Sequence, residues 1–88
     1  MTYRVEFTSA ARRDIAKLPD RVARAIVEFC SGPLAENPHR VGKPLVGELT
    51  GLYSARRGGY RVVYAIHDDR VVVEVAYVRH RTDAYRPR

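Results

Sequence analysis

Hydrophobic and polar residues alternate along the C-terminal half of the chain, in the pattern of β-strands with one buried face. The alternating segments are residues 52–57, 60–67 and 70–79. Gly58 and Gly59 separate the first two segments and predict a tight hairpin turn, because glycine accepts positive φ angles. Asp68 and Asp69 predict the turn before the third segment. The pattern therefore predicts three consecutive antiparallel strands.

The N-terminal half begins as a strand and then changes to the helical period. Residues 2–8 alternate and predict a short strand. A helix capped by Thr8 or Ser9 follows, and Pro19 breaks it, so that Asp20 is the expected N-cap of a second helix. The apolar stripes of the two helices are Ala11, Ile15 and Leu18, and Val22, Ile26, Phe29 and Cys30.

The order of elements predicts an α+β domain. Gly32 and Pro33 end or kink the second helix, and residues 37–51, rich in glycine and proline, predict a loop that contains a brief strand. The order is β-α-α-β-β-β. We expect an antiparallel sheet with the two N-terminal helices packed on one face, in a single domain spanning residues 1–88.

The register of the hairpins predicts a conflict between like charges. Simple even-length turns place Arg56 opposite Arg61, and Tyr64 opposite Val73, which leaves one face of the sheet almost entirely apolar. The other face carries both arginines together with Glu74 and His80. Two facing arginines are unfavourable unless an anion such as phosphate lies between them. The alternatives are neutralisation of Arg61 by Glu74, or arginine side chains that splay into solvent.

The overall charge favours a nucleic-acid partner. The chain has 16 Lys and Arg residues against 10 Asp and Glu residues, for a net charge of +6. A basic, arginine-rich domain is typical of proteins that bind nucleic acids, although a basic chain can also simply be more soluble. No apolar run is long enough to span a membrane and no signal peptide is recognisable, so we expect a cytoplasmic protein without a membrane partner.

The same residues exclude several kinds of chemistry. His39, His67 and His80 lack the spacing of metal ligands, and the phosphate-cradling glycine motifs are missing, so neither a metal nor a cofactor is predicted. Cys30 lies among apolar residues and is interpreted as a core thiol. Metal-free phosphate chemistry remains, in which the 2′-OH of RNA is the nucleophile, arginines offset negative charge and a histidine transfers protons. The residues that supply these functions are Arg56, Arg61, His80 and, for base stacking, Tyr85.

Three segments resemble RelE-type toxins of the RelE/ParE superfamily, in particular those of the mycobacterial RelE branch. They are Gly-Leu-Tyr-Ser-Ala-Arg-Arg-Gly-Gly-Tyr-Arg-Val-Val-Tyr at residues 51–64, the opening strand and helix with Lys-Leu-Pro at residues 17–19, and Val-Arg-His-Arg at residues 78–81 followed by Tyr85. The resemblance implies a microbial ribonuclease-type fold and ribosome-dependent cleavage of messenger RNA in the A site. It also implies a RelB-type antitoxin, whose complex with the toxin binds operator DNA.

The resemblance also implies roles for individual residues. Arg61 holds the place of the arginine that stabilises the transition state, and Arg56 that of a phosphate-contacting basic residue. Arg81 and Tyr85 fit the C-terminal part of the site, with Arg79 as an alternative to Arg81. Well-studied relatives carry two lysines on the first hairpin strand, where this chain has Ser54, Ala55 and Arg56. The general base is therefore open, and His80 is the candidate for proton transfer.

Two other functions remain open on the sequence alone. One is a ParE-like toxin that binds DNA gyrase and cuts nothing, and the other is a non-catalytic member that only binds antitoxin or RNA. Outside the catalytic set, the basic residues expected to contact RNA or the ribosome are Arg12, Arg13, Lys17, Arg57 and Arg79. For the helical residues among them, the alternative is an ordinary solvated helix face.

Overall fold

The computed structural model of the chain describes residues 2–82. The strands are β1 (Arg4–Phe7), β2 (Lys43–Pro44), β3 (Tyr53–Arg57), β4 (Tyr60–His67) and β5 (Val72–His80), and the α-helices are α1 (Ser9–Ala16), α2 (Asp20–Phe29) and α3 (Pro38–Val41). The strands form one sheet in the order β1-β5-β4-β3-β2. Within this part of the chain, no helix is both long and apolar enough to cross a membrane. Tyr85 lies outside the described residues.

The predicted fold class is confirmed, with two differences. The sheet is mixed rather than antiparallel, because β1 returns alongside β5 in parallel register, with Val5 beside Val73. The predicted loop after residue 36 also contains α3, the two-residue strand β2 and a short 3₁₀ turn, Gly47–Leu49. β2 adds a fifth strand at the edge formed by β3.

The N-terminal helices begin and end where side chains and prolines dictate. The Thr8 hydroxyl accepts a hydrogen bond from the Ala11 amide at 3.1 Å and donates one to the Ala76 carbonyl at 2.6 Å, so the cap also ties α1 to β5. Pro19, and not the predicted Asp20, occupies the N-cap position of α2. Asp20 is the first helical residue, where its negative charge favours the positive end of the helix dipole.

A π-helical segment, Cys30–Leu34, continues α2 around Pro33. Proline has no amide hydrogen to donate, so the regular ladder of helical hydrogen bonds is interrupted there. Gly32 and Pro33 thus do not end the helical path, since Ala35 and Glu36 are again helical. Cys30 is fully buried, as predicted of a core thiol, and burial raises the pKa of its thiol to about 12.

One sheet face packs against the helices and forms the core. Its buried members include Val62, Tyr64 and Val75. The Tyr64 hydroxyl donates a hydrogen bond to the Pro38 carbonyl at 2.6 Å, and its ring stacks on Tyr53 at a centroid distance of 5.6 Å. Burial raises the pKa of the Tyr64 hydroxyl, which therefore remains a donor. This bond holds α3 against the sheet.

The register of the first hairpin is confirmed, but that of the second is wrong in part. Arg56 faces Arg61 as predicted. Tyr64 faces Val75 and not Val73, because the turn extends to Val71, which adopts a positive φ of 53°. A bulge next to Tyr64 then shifts the pairing by one more residue.

A bulge of this kind exchanges the two faces of the strand for all residues beyond it. The residues that exchange faces are Tyr77, Val78, Arg79 and His80. Val78 consequently belongs to the core. Tyr77 and Arg79 lie on the opposite, open face of the sheet.

Candidate nucleic-acid interface

Three arginines lie side by side on the open face of the sheet. Arg56 on β3 faces Arg61 on β4, and Arg61 faces Arg79 on β5. Neighbouring residues on one face of a sheet have Cβ atoms about 5 Å apart, so this arginine row concentrates three positive charges in one rung. Such a row favours an anion, and a phosphate matches the donor geometry of guanidinium groups.

The far end of the row is held in place by a carboxylate. Arg79 forms a short ion pair with Asp14 of α1, and the Val78 amide donates a hydrogen bond to the same carboxylate at 2.9 Å. The guanidinium carbon of Arg79 also lies 4.7 Å from the centre of the Tyr77 ring. Arg79 is therefore fixed and partly neutralised, whereas Arg56 at the other end of the row is exposed.

An open pocket of about 340 Å³ adjoins the row at Arg56 and Arg61. Its wall is completed by Val41, by Lys43 of β2 and by Ser54, the residue that pairs with Lys43 across the β2–β3 ladder. None of these five lining residues is acidic. We call this pocket the cationic basin.

Ser54 is the buried polar member of the cationic basin. Only 9% of its surface is exposed, and within residues 2–82 its hydroxyl has no hydrogen-bond partner. A buried hydroxyl without a partner lowers stability, so its presence indicates a demand other than stability. The basin can therefore bind an anion with both charged and neutral donors.

His80 does not lie on the face predicted for it. It pairs with Tyr60 beyond the bulge, and the two rings meet edge to face at 5.2 Å. Its Nδ1 lies 2.9 Å from the Thr82 hydroxyl. The geometric argument that joined His80 to Arg56 and Arg61 is thus wrong, because the bulge was not foreseen.

The remaining predicted residues are distributed over the molecule. Glu74, considered as a countercharge for Arg61, pairs with Ala65 and lies 3.2 Å from a ring nitrogen of His67. The Arg81 amide donates to the Gly59 carbonyl at 2.8 Å, which places Arg81 at the end of the same hairpin as the arginine row. The role of Tyr85 stays a prediction, because it falls outside the described residues.

The predicted basic residues of α1 form a separate surface. Arg12, Arg13 and Lys17 are exposed, and α1 packs along β5, whereas the cationic basin lies at β2, β3 and β4. Arg57 is exposed in a cleft between α2 and the β3–β4 turn. The structure therefore separates two basic surfaces, one on the helices and one on the open face.

Two members of this arrangement were missed by sequence reasoning. No role was predicted for Asp14 of α1, and Lys43 lies within the loop predicted for residues 37–51. Only the pairing of β2 with β3 brings Lys43 to Ser54, and no periodic pattern in the sequence predicts that pairing.

Comparison with known proteins identifies the class to which this small mixed sheet and its helices belong, a class of small toxins. The family model described as "ParE toxin of type II toxin-antitoxin system, parDE" matches residues 5–85. The chain belongs to this RelE/ParE superfamily of type II toxin–antitoxin toxins.

Individual relatives point to the RelE branch. The toxins RelE and RelG of Mycobacterium tuberculosis (strain ATCC 25618 / H37Rv) are each 54% identical to the chain. The RelE match covers 96% of the chain and 87% of the relative, and the RelG match covers 98% and 99%. The toxin–antitoxin complex RelBE2 of Mycobacterium tuberculosis contains a chain with a TM-score of 0.88 and 51% identity, over 91% of this chain and 99% of that one.

Proposed function

We propose that this RelE-type toxin is a metal-independent endoribonuclease that cleaves messenger RNA in the ribosomal A site and so inhibits translation. The observation that carries the proposal is the arginine row of Arg56, Arg61 and Arg79 on the open face of the sheet. Like charges paired across strands reduce stability, and an RNA phosphate is the ligand that turns this arrangement into a binding site.

The reaction uses the nucleophile that RNA itself carries. The 2′-hydroxyl loses its proton and the 2′-oxygen forms a bond to the adjacent phosphorus. The bond from phosphorus to the 5′-oxygen breaks and that oxygen takes up a proton, which yields a 2′,3′-cyclic phosphate and a free 5′-hydroxyl. Arg61 and Arg56 bind the non-bridging oxygens and offset the charge that develops on the phosphorane. Removing one preorganised donor of this kind typically costs about 10²–10³ in rate.

The C-terminal residues complete the proposed site. Arg81, at the end of the hairpin, and Arg79, in the arginine row, are the two candidates for the C-terminal arginine, and Tyr85 is proposed to stack on a base. The register argues against His80 as the group that transfers protons, because its ring lies beside Tyr60. Proton transfer is thus left to groups around the cationic basin.

The proposed partners follow from the two basic surfaces. Arg12, Arg13 and Lys17 contact ribosomal RNA through diffuse charge, while Arg57 extends this surface towards the hairpin. A RelB-type antitoxin, the kind of partner present in the RelBE2 complex, covers part of the basic surface with acidic or amphipathic segments. The complex of toxin and antitoxin binds operator DNA.

Primer extension on messenger RNA in a translating extract tests the activity. Wild type, Arg61→Ala and the matched control Arg70→Ala are compared, since Arg70 is an exposed arginine in the turn at the opposite end of β4. We expect cuts within codons that require ribosomes, a loss of about 10²-fold or more with Arg61→Ala, and no loss with Arg70→Ala.

The opposite results have defined meanings. Absence of cuts from folded wild-type protein would overturn the nuclease, and inhibition of DNA gyrase by the same sample would then identify a ParE-like toxin. If neither activity is present, the chain is a non-catalytic binder of antitoxin or RNA. Equal cutting by Arg61→Ala and wild type would remove Arg61 from the site.

A further inference from the structure

Lys43 is an exposed residue whose backbone position is fixed by contacts of the neighbouring residues. It lies on a two-residue edge strand, directly opposite Ser54. Residues paired across a ladder have side chains on the same face, so Lys43 shares the open face with Ser54, and with Arg56 two residues further along β3.

The backbone before Lys43 is fixed by contacts with the core. A Cβ atom on Gly42 would lie 2.3 Å from the Tyr64 hydroxyl oxygen and 2.9 Å from the Ser54 carbonyl oxygen, so only glycine fits there. The Tyr64 hydroxyl meanwhile holds the Pro38 carbonyl at the start of α3. Buried groups of the core thus determine where β2 runs, and with it the position of Lys43.

Among the described residues that line the pocket beside Lys43, none carries a carboxylate. The lining of the cationic basin supplies two more cations, Arg56 and Arg61, and the unpartnered hydroxyl of Ser54. Three cations around one pocket repel one another, and an anion bound between them reverses the sign of that interaction.

We propose that Lys43 is a further phosphate-contacting residue, so that strands β2, β3 and β4 each contribute one cation to the same phosphate. This inference rests on the proposed function for the identity of the ligand, an RNA phosphate. Lysine adds what arginine does not, a compact ammonium that binds a single oxygen as a point charge.

Binding of inorganic phosphate tests Lys43 without requiring cleavage. Wild type, Lys43→Met, Lys43→Arg and the charge-matched control Arg70→Met are titrated with phosphate, and the amide NMR signals of Ser54 and its neighbours are followed. We expect Lys43→Met to bind about tenfold more weakly, as when a charge-assisted hydrogen bond is lost. Lys43→Arg should retain most of the affinity, and Arg70→Met all of it.

Two results would overturn the inference. One is phosphate affinity in Lys43→Met equal to that of wild type. The other is a wild-type titration in which the signals of the basin do not move. Lys43 and Arg70 are both exposed, so all four proteins should have equal melting temperatures. Equal values show that weaker binding does not result from unfolding.

Cleavage assays on the same proteins separate this inference from the proposed function. If Lys43-dependent phosphate binding occurs but wild type cuts no messenger RNA, the proposed function fails and the phosphate site stands. If wild type cuts and Lys43→Met cuts equally fast, Lys43 does not contact the scissile phosphate and the inference fails alone. A loss of cleavage in Lys43→Met that Lys43→Arg partly restores supports both.

Discussion

The two faces of the sheet are built according to different rules. On the packed face, Val62, Tyr64 and Val75 are completely buried against the helices, and each contributes to stability by leaving water. On the open face, Arg56 lies opposite Arg61 and the buried Ser54 hydroxyl lacks a partner within the described chain. The difference indicates that the packed face holds the fold together, while the open face is organised for a ligand.

The repulsion between like charges on the open face is reduced at one end of the arginine row. Arg79 receives a carboxylate from Asp14, and that carboxylate also accepts the Val78 amide. The end of the arginine row next to α1 is therefore stabilised internally. The end next to β2, which contains Lys43 and Arg56, is cationic and adjoins the pocket. The position of the excess charge thus coincides with the position of the cavity.

The largest expected effect is the difference between substitutions at the core and on the open face in how they change the free energy of unfolding. Ile26 of α2 is 1% exposed and belongs to the core cluster that covers the packed face, so Ile26→Ala should lower the free energy of unfolding by about 2–5 kcal/mol. Arg56→Thr relieves a like-charge pair and introduces a good strand former, so it should leave stability unchanged or raise it by up to about 1 kcal/mol. Urea denaturation of both variants provides the measurement.

An Arg56→Thr variant that loses as much stability as Ile26→Ala would contradict the comparison. It would mean that the open face is itself part of what stabilises the sheet. Adding phosphate offers an internal check, because an anion bound to the native state should stabilise wild type more than Arg56→Thr.

The first hairpin and the part of the packed face that it contributes could be predicted because local sequence determines them. A two-residue turn at Gly58 and Gly59 leaves no freedom in the register, so Arg56 and Arg61 could be paired from the sequence alone. The apolar residues around Ile26 recur with the period of an α-helix, so the sequence predicts which side of α2 is buried.

The open face could be predicted only in part, because two of its determinants are not local. The left-handed conformation of Val71 and the bulge next to Tyr64 change the register of β5, and neither position has the glycine or asparagine that usually marks such geometry. The pairing of β2 with β3 joins residues separated by a loop. The arginine row consequently includes Arg79, the cationic basin includes Lys43, and His80 lies on the other face of the sheet.

A smaller effect is expected from a substitution that tests whether Tyr64 on the packed face positions β2 at the open face. Gly42→Ala places a methyl group against Tyr64 and the Ser54 carbonyl, and such overpacking should cost about 1–3 kcal/mol of unfolding free energy. Since β2 must move to relieve the clash, phosphate binding should weaken as well. Gly32→Ala is the matched control, because its added Cβ would meet nothing within 4 Å. Normal stability and phosphate binding in Gly42→Ala would show that the contact of Gly42 with Tyr64 does not position the open face.

The smallest effect concerns a polar cluster that belongs to neither face. Asp68, in the β4–β5 turn, accepts a hydrogen bond from the Tyr3 hydroxyl at 2.5 Å, and His39 of α3 lies 3.0 Å from the same carboxylate. These two contacts lower the pKa of Asp68 below its ordinary value of 3.8, the bond from Tyr3 contributing most. The cluster links the N-terminal strand to α3, the helix that leads into β2.

A carboxyl group whose pKa is lower in the folded than in the unfolded state stabilises the protein at every pH at which it is ionised in both states. The contribution of Asp68 is therefore complete above about pH 4 and disappears as the pH falls through the folded pKa. Melting temperatures of wild type and Asp68→Asn, measured from about pH 5 to about pH 2.5, should differ by a small amount that shrinks towards acid. Since the cluster is exposed, the difference should also decrease in salt. A difference that stays constant with pH would show that Asp68 acts through its shape and not through its charge.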